Sequence, residues 1–488
     1  MENLEKYFEP FRNKIIGQDS VFVSPFGEKR IVYFDWIASG RLYRDVEEKI
    51  ITQFGPFVAN THTETSETGS RMTWAYHDAQ KIIKEHVNAG PNDVLITAGS
   101  GMTTVINKLL RILGLKGCGL KRKNCENAEE RPVVFITHME HHSNQTVWYE
   151  TFADVVVLPP GEGLLVDPAI LRRELEPYRD RKFKIGSFTS CSNVTGVFTP
   201  YHTLARIMHE NGGICLVDFA ASAPYVDINM HPEDPMEKLD AIVFSPHKFL
   251  GGPGSSGVLI FDSAMYKSDV PDNPGGGTVD WTNPWGEYKY VDDIEAREDG
   301  GTPGFLQAIR TALAIELKSQ MGTGMIMARE EEMLKIMFQG LRKIKGVKIL
   351  ADNVEKRLGV VSFYIEGIHY NLVVKLLSDL FGIQVRGGCA CAGTYGHYLL
   401  DVSYDKSHNI TEKINSGDLS EKPGWVRASL HPSMTNDELT QLIDGVAYIA
   451  ENIDALREEY IYNRRKNEFK HRNDDGRSRE IVKSWFIM

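Results

Sequence analysis

A lysine directly behind a serine and a histidine, at the end of an apolar run, has the makings of covalent chemistry on a phosphorylated carbonyl compound. Residues 239–261 read LDAIVFSPHKFLGGPGSSGVLIF, and the run 241–244 has the length and β-branched content of a buried strand. It ends in Ser245, Pro246, His247 and Lys248, and a glycine-rich turn follows. Ligands of open α/β sheets bind beyond the carboxyl ends of strands. There Lys248 could form a Schiff base while Ser245 and His247 hold a phosphate. The order excludes a nucleotide P-loop, whose lysine comes after its glycines.

Four more strand ends carry polar groups. Residues 94–97 open into AGSGMTT and an apolar helix, which aims a helix N-terminus with Gly101, Met102 and Thr103 at an anion. The run 133–137 ends in HMEHHSN with His141, 183–190 in CSNVTG with Asn193, and 214–217 in Asp218. Strands alternate with helical stretches, so the fold class is α/β with a mainly parallel sheet. Five successive strand ends bearing Thr103, His141, Asn193, Asp218 and Lys248 are the layout of a cofactor pocket.

Pyridoxal phosphate matches the set. Its phosphate needs amides and hydroxyls, supplied by 99-GSGMTT-104, Ser245 and His247. Its pyridine nitrogen needs a carboxylate, for which Asp218 is placed, although Asp218 reads equally as a turn cap. His141 is placed to stack on the ring and relay protons. His138, Glu140, His141 and His142 with Cys389 and Cys391 raise a competing zinc reading. Their C-x-C spacing and the absence of H-E-x-x-H argue against a metal.

The chain has 488 residues, 42% of them apolar, enough for two or three domains with large cores. A net charge of −11 argues against a nucleic-acid partner. No apolar run is long enough to span a membrane, and the charged start, MENLEKYFEPFRNK, does not read as a secretion signal, so a cytoplasmic protein is expected. Six cysteines in so long a chain are not a disulfide framework. The expected organisation is an N-terminal segment, 1–29, read as a helix and a turn that pack on the small domain, then a large domain over 30–320. A smaller domain over 321–455 and a charged tail over 456–488, read as an exposed fraying helix, complete it. Residues 115–131, with Cys118 and Cys125, read as a surface insertion. Residues 263–303 read as a long irregular loop, and 402–424 as a polar excursion able to act as a lid.

The segments 138-HMEHHSN-144, 191-CSNVTG-196, 217-VDFA-220, 244-FSPHKFLGGPGSSG-257, 299-DGGTP-303, 385-VRGGCACAG-393 and 425-WVRASL-430 together resemble the class V aminotransferases. These are fold-type I pyridoxal phosphate enzymes, and the likeness falls in their cysteine desulfurase and selenocysteine lyase branch. The resemblance implies a large domain around a mainly parallel seven-stranded sheet and a smaller C-terminal α+β domain. It makes Lys248 the Schiff-base lysine and His141 the ring-stacking acid/base. Asp218 becomes the pyridine partner, Asn193 a neighbour of ring and substrate, and Gly101, Met102, Thr103, Ser245 and His247 the phosphate site. Gly301 and Thr302 would reach the phosphate of a second subunit, implying a homodimer with shared active sites. Arg427 would grip the substrate carboxylate. Arg386 and His62, the latter in 60-NTHTETSETGS-70, are also assigned to the substrate. Cys391 would take sulfur from L-cysteine as a persulfide, leaving L-alanine, for delivery to a sulfur-acceptor protein. The alternative is another enzyme of the class, such as a selenocysteine lyase, C–S lyase or epimerase, that needs no catalytic cysteine. The chain departs from the pattern at Ala221, where the family usually has glutamine, and at Met102, where a hydroxyl is common.

Overall fold

The computed structural model describes residues 3–116 and 130–488, so most of the insertion read at 115–131, including Cys118 and Cys125, lies outside the described residues. The chain divides into two compact units. One comprises residues 38–192 and 197–324, the other residues 1–37, 193–196 and 325–488.

The first unit is built on a seven-stranded sheet. Its spatial order is Asp93–Ala98, Gly257–Asp262, Ala241–Phe244, Ile214–Asp218, Lys184–Thr189, Val133–Thr137 and Asp154–Leu158. Gly257–Asp262 runs antiparallel to both neighbours, and the other pairings are parallel. The inner strands are apolar without alternation because both faces are covered; every residue of Val133–Thr137 and Ala241–Phe244 is buried. The helix Met102–Ile112 lays Val105, Ile106 and Leu109 against Ile136, Val243 and Leu259. Each such side chain contributes about 1.5–3 kcal/mol by leaving water. A second core joins Met72, Tyr76 and Ala79 of helix Glu67–His86 to Phe305, Ala308, Ile309 and Ala312 of helix Phe305–Met321.

The stretch 263–303 is more regular than its composition indicates. It contains the hairpin Val279–Thr282 with Tyr288–Tyr290 and a short helix, Ile294–Glu298. The Asn283 side chain accepts from the amides of Trp285 and Glu287 and closes the hairpin turn, a local device that composition hides.

The second unit holds a four-stranded antiparallel sheet in the order Val347–Ile349, Val360–Ile365, Trp425–Ser429 and Arg386–Gly388. Helices Tyr370–Phe381 and Asn436–Arg457 belong to the same unit, and the latter opens on the Thr435/Glu438 capping box. The N-terminal segment adds a hairpin, Val21–Ser24 with Gly27–Arg30, to the expected helix, and Val32–Tyr33 pairs in parallel with Ile383–Gln384.

The tail is not a fraying helix. Helix Asn436–Arg457 stops, and Tyr460–Asn463 pairs with Glu468–His471 before a last helix, Arg477–Ser484. Tyr460, Tyr462 and Phe469 carry the apolar content. Tyr460 is buried with its hydroxyl on Asp379 at 3.0 Å, and Tyr462 packs on Phe469. The high charge of 456–488 masked this alternation. Among the described residues no helix is long and apolar enough to cross a membrane.

Candidate active site

In the sheet unit, the chemistry-bearing residues gather past the strand ends. Ser245 to Lys248 leave the strand in a tight 3₁₀ turn, with Ser245 buried and Lys248 half-buried. Ser245 Oγ accepts from the Met102 amide at 2.9 Å, tying this turn to the start of helix Met102–Ile112. His247 Nδ1 lies 2.7 Å from the Ser100 carbonyl. A carbonyl only accepts, so Nδ1 carries the proton and Nε2 remains for a ligand. Burial, aided by neighbouring Lys248, lowers the His247 pKa. A Cβ on Gly101 would come within 3.0 Å of His247 Cε1 and 3.1 Å of Ser245 Oγ, so glycine keeps this cradle open. Thr103 stands exposed beside it, 2.6 Å from Ser143 Oγ. A helix N-terminus lined by Ser245, His247 and a glycine cradle fits a phosphate.

Asp218 is buried at the end of its strand, and Oδ1 accepts from the Ala220 amide at 2.8 Å. It is therefore a turn cap as well as a candidate ring partner. Burial pushes its pKa up to about 6, against the pull of the Ala220 amide and the Lys248 charge. His141 caps helix His142–Tyr149. Its Nδ1 accepts from the Ser143 amide at 3.1 Å, so Nε2 bears the proton of the neutral ring. A buried carboxylate, an imidazole with a defined tautomer and a half-buried lysine fit the pyridine and aldehyde ends of pyridoxal phosphate.

Glu140, which the sequence offers only as a metal ligand, has a different role. It is fully buried; Oε1 accepts from Thr137 N, Thr137 Oγ1 and Thr189 N, and Oε2 from Asn144 Nδ2 at 2.7 Å. It thereby fastens two strand ends to the loop that carries His141. Its place between two histidines was the only local signal. His138 Nε2 is engaged with the Leu164 carbonyl.

Gly301 and Thr302 are exposed, Gly301 in the left-handed region at φ 88° with its amide on the Gly276 carbonyl. His62 is exposed with φ 65° and lines a cavity of about 430 Å³ with Tyr76, Lys84 and Asp299. Lys248, His141 and Asp218 do not line that cavity.

The second unit carries the remaining candidates. Arg427 is buried in its strand, with Nη2 on Asp35 Oδ1 at 2.8 Å, Nη1 on the Asn193 carbonyl at 3.2 Å and Nε without a partner. An unused guanidinium N–H suits a carboxylate ligand. Arg386 faces Arg427 in register but is exposed. Asn193 Nδ2 donates to the Ala390 carbonyl at 2.7 Å, and its buried Oδ1 has no partner. Cys389 and Cys391 are unpaired and half-buried. Ala390 and Cys391 sit consecutively in the left-handed region, at φ 48° and 58°, a strained arrangement for residues with a Cβ.

The family model for class-V aminotransferases matches residues 32–442. A probable cysteine desulfurase of Halalkalibacterium halodurans is 30% identical over 370 residues, 74% of this chain and 84% of the relative. One from Staphylococcus aureus is 26% identical over 385 residues, 78% and 87% of the two chains. Among solved structures, a cysteine desulfurase from Thermococcus onnurineus shares the fold with a TM-score of 0.72 at 23% identity, covering 91% of this chain and 98% of the other. One from Escherichia coli gives a TM-score of 0.71 at 22% identity with the same coverage.

Proposed function

The chain belongs to the class V aminotransferase family, and from that premise we propose that it is a cysteine desulfurase, converting L-cysteine to L-alanine and holding the sulfur as a persulfide on Cys391. The family's enzymes depend on pyridoxal phosphate. When bound, that cofactor supplies an aldehyde for the substrate amine and a ring that accepts the Cα electron pair.

Lys248 would hold the cofactor covalently. Gly101, Met102, Thr103, Ser245 and His247 would hold its phosphate, joined by Gly301 and Thr302 of a second copy in a homodimer. Asp218 would hold the ring nitrogen protonated, and Asn193 and His141 would flank the ring. Arg427 orients the substrate through its carboxylate. Lys248 Nζ takes the Cα proton, and His141 relays protons through Nε2. The Cys391 thiolate attacks the substrate sulfur; an S–S bond forms, the C–S bond breaks, and the electron pair left on carbon is quenched by a proton to give alanine. The persulfide then passes to an acceptor protein. No disulfide forms among the described residues, in keeping with a reducing, cytoplasmic setting.

The observation carrying this reading is the half-buried, unpaired Cys391 on a left-handed backbone, one residue after a carbonyl held by Asn193. Strain of this kind concentrates at functional positions. The test is Cys391→Ala, assayed for sulfide and alanine from cysteine. The expected result is loss of sulfide release with the cofactor's absorption band retained. Sulfide release at the wild-type rate would refute the proposal.

A further inference from the structure

The family match ends at residue 442, yet the chain continues into a hairpin, Tyr460–Asn463 with Glu468–His471, within the unit that carries Cys391. We propose that this hairpin positions the cysteine loop for sulfur transfer, with Asn467 as the positioning residue acting through Tyr370 and Asn371. The proposal rests on Cys391 being the sulfur nucleophile.

Asn467 is buried in the hairpin turn at φ 57°. Its backbone carbonyl accepts from Asn371 Nδ2 at 2.6 Å, its Nδ2 donates to Tyr370 Oη at 2.7 Å, and its Oδ1 accepts from Tyr462 Oη at 2.8 Å. Tyr370 Oη in turn donates to the Lys422 carbonyl at 3.2 Å, at the end of the polar excursion. Both residues at the start of helix Tyr370–Phe381 press on glycines beside the cysteines. A Cβ on Gly387 would collide with Asn371 Oδ1, and one on Gly424 would come within 2.6 Å of the Tyr370 ring. Gly387 lies in the strand that runs directly into Cys389, and Gly424 precedes the paired strand that carries Arg427. The hairpin also holds the excursion. The Leu419 amide donates to the Arg464 carbonyl at 2.9 Å, and Arg464 pairs with Asp418 at 3.6 Å.

A three-residue strand leading into two left-handed residues has little local means of holding its shape. Strained backbone persists only where its surroundings over-determine it. Here the surroundings include Asn193 at the Ala390 carbonyl and, behind the strand, the Tyr370–Asn371 shelf that Asn467 fixes.

The test uses the full-length, cofactor-loaded enzyme. Asn467→Gly keeps the turn and its carbonyl but removes the side-chain amide, and Tyr370→Phe removes the hydroxyl relay. Without substrate, the alkylation rate of Cys391 by iodoacetamide is followed by mass spectrometry; with cysteine, kcat and KM for sulfide release are measured. Each variant should change the alkylation rate by about threefold or more and lower kcat about tenfold, with KM within about twofold. The double variant should be no worse than the more impaired single one, because both cut one hydrogen-bonded relay. Wild-type alkylation and kcat in a folded variant would overturn the proposal, as would equal losses in kcat and KM or additive effects in the double variant. Where Asn467→Gly does not fold, Asn467→Asp, which loses the donor to Tyr370 but keeps the turn, makes the same comparison. Persistent sulfide release in Cys391→Ala removes the nucleophile reading and with it the proposal that rests on it, whereas unchanged alkylation in the Asn467 variant removes the positioning reading and leaves the nucleophile reading standing.

Discussion

The lysine-bearing unit and the cysteine-bearing unit hold their reactive side chains by opposite means. Around Lys248 the positions are set by regular secondary structure. Strands that are almost wholly buried end at chosen points, with Asp218 the last residue of its strand and His141 and the Lys248 turn following theirs within a few residues. Around Cys391 the supporting strand has three residues, the backbone is left-handed, and the groups that brace it come from positions 193, 370, 371 and 467. Local pattern builds the first; contacts between distant parts of the chain build the second. Substitutions in the first should therefore remove chemistry outright, and substitutions in the second should degrade geometry or stability by degrees.

The largest effect is expected at Lys248. Lys248→Ala should abolish the borohydride-reducible cofactor adduct and cut sulfide release by about 10³-fold or more. An adduct that persists on another lysine would break the comparison at its root. Asp218→Asn comes next. Asp218 is buried, and an amide of the same shape cannot carry a charge opposite the ring nitrogen. Activity should fall about 10²-fold with cofactor still bound, as judged from the absorption spectrum. In the other unit, Asp35→Asn leaves the buried Arg427 guanidinium without its charge partner. It should cost about 3 kcal/mol of stability in denaturant titration and raise KM for cysteine more than it lowers kcat. A change confined to kcat would place Arg427 in chemistry rather than in holding substrate.

The same contrast decides what could be read from the sequence. The apolar runs 133–137 and 241–244 coincide with the observed strands, because strands covered on both faces leave a continuous signal that turns interrupt sharply. The Thr435/Glu438 capping box is likewise a local code. The hairpin of the tail was not legible. Its Tyr460, Tyr462 and Phe469 are spaced among charges, and their burial depends on Tyr370, Asp379 and His369, about 80 to 100 residues earlier. The partner of Arg427 was equally hidden, since nothing near either residue signals that Asp35 meets a guanidinium 392 positions away. The segment around His62 matches the family's pattern only loosely, and in the structure His62 lines a cavity with Tyr76 and Asp299.

The smallest effect, and the one that most sharpens the contrast, concerns Glu140. Its carboxylate is buried and accepts four hydrogen bonds, and burial nonetheless lifts its pKa from 4.5 to about 7, against the pull of Thr137, Asn144 and Thr189. A folded-state pKa above the unfolded value means that the folded protein binds the proton more tightly. The stability gained is complete below about pH 4.5 and is lost as pH rises to about 7. Glu140→Gln cannot titrate. Its Nε2 also faces the Asn144 amide, so it should be less stable than wild type by about 1–3 kcal/mol where the gap is widest. That gap should be largest at the acidic end and narrow as pH approaches 7, measured as the difference in melting temperature at each pH. A gap independent of pH would mean that Glu140 has the same pKa folded and unfolded, so that its four hydrogen bonds offset the burial. In that case this unit too would owe its order to a hydrogen-bonded brace, and the distinction between the two halves would lie in how many residues build the brace rather than in its kind.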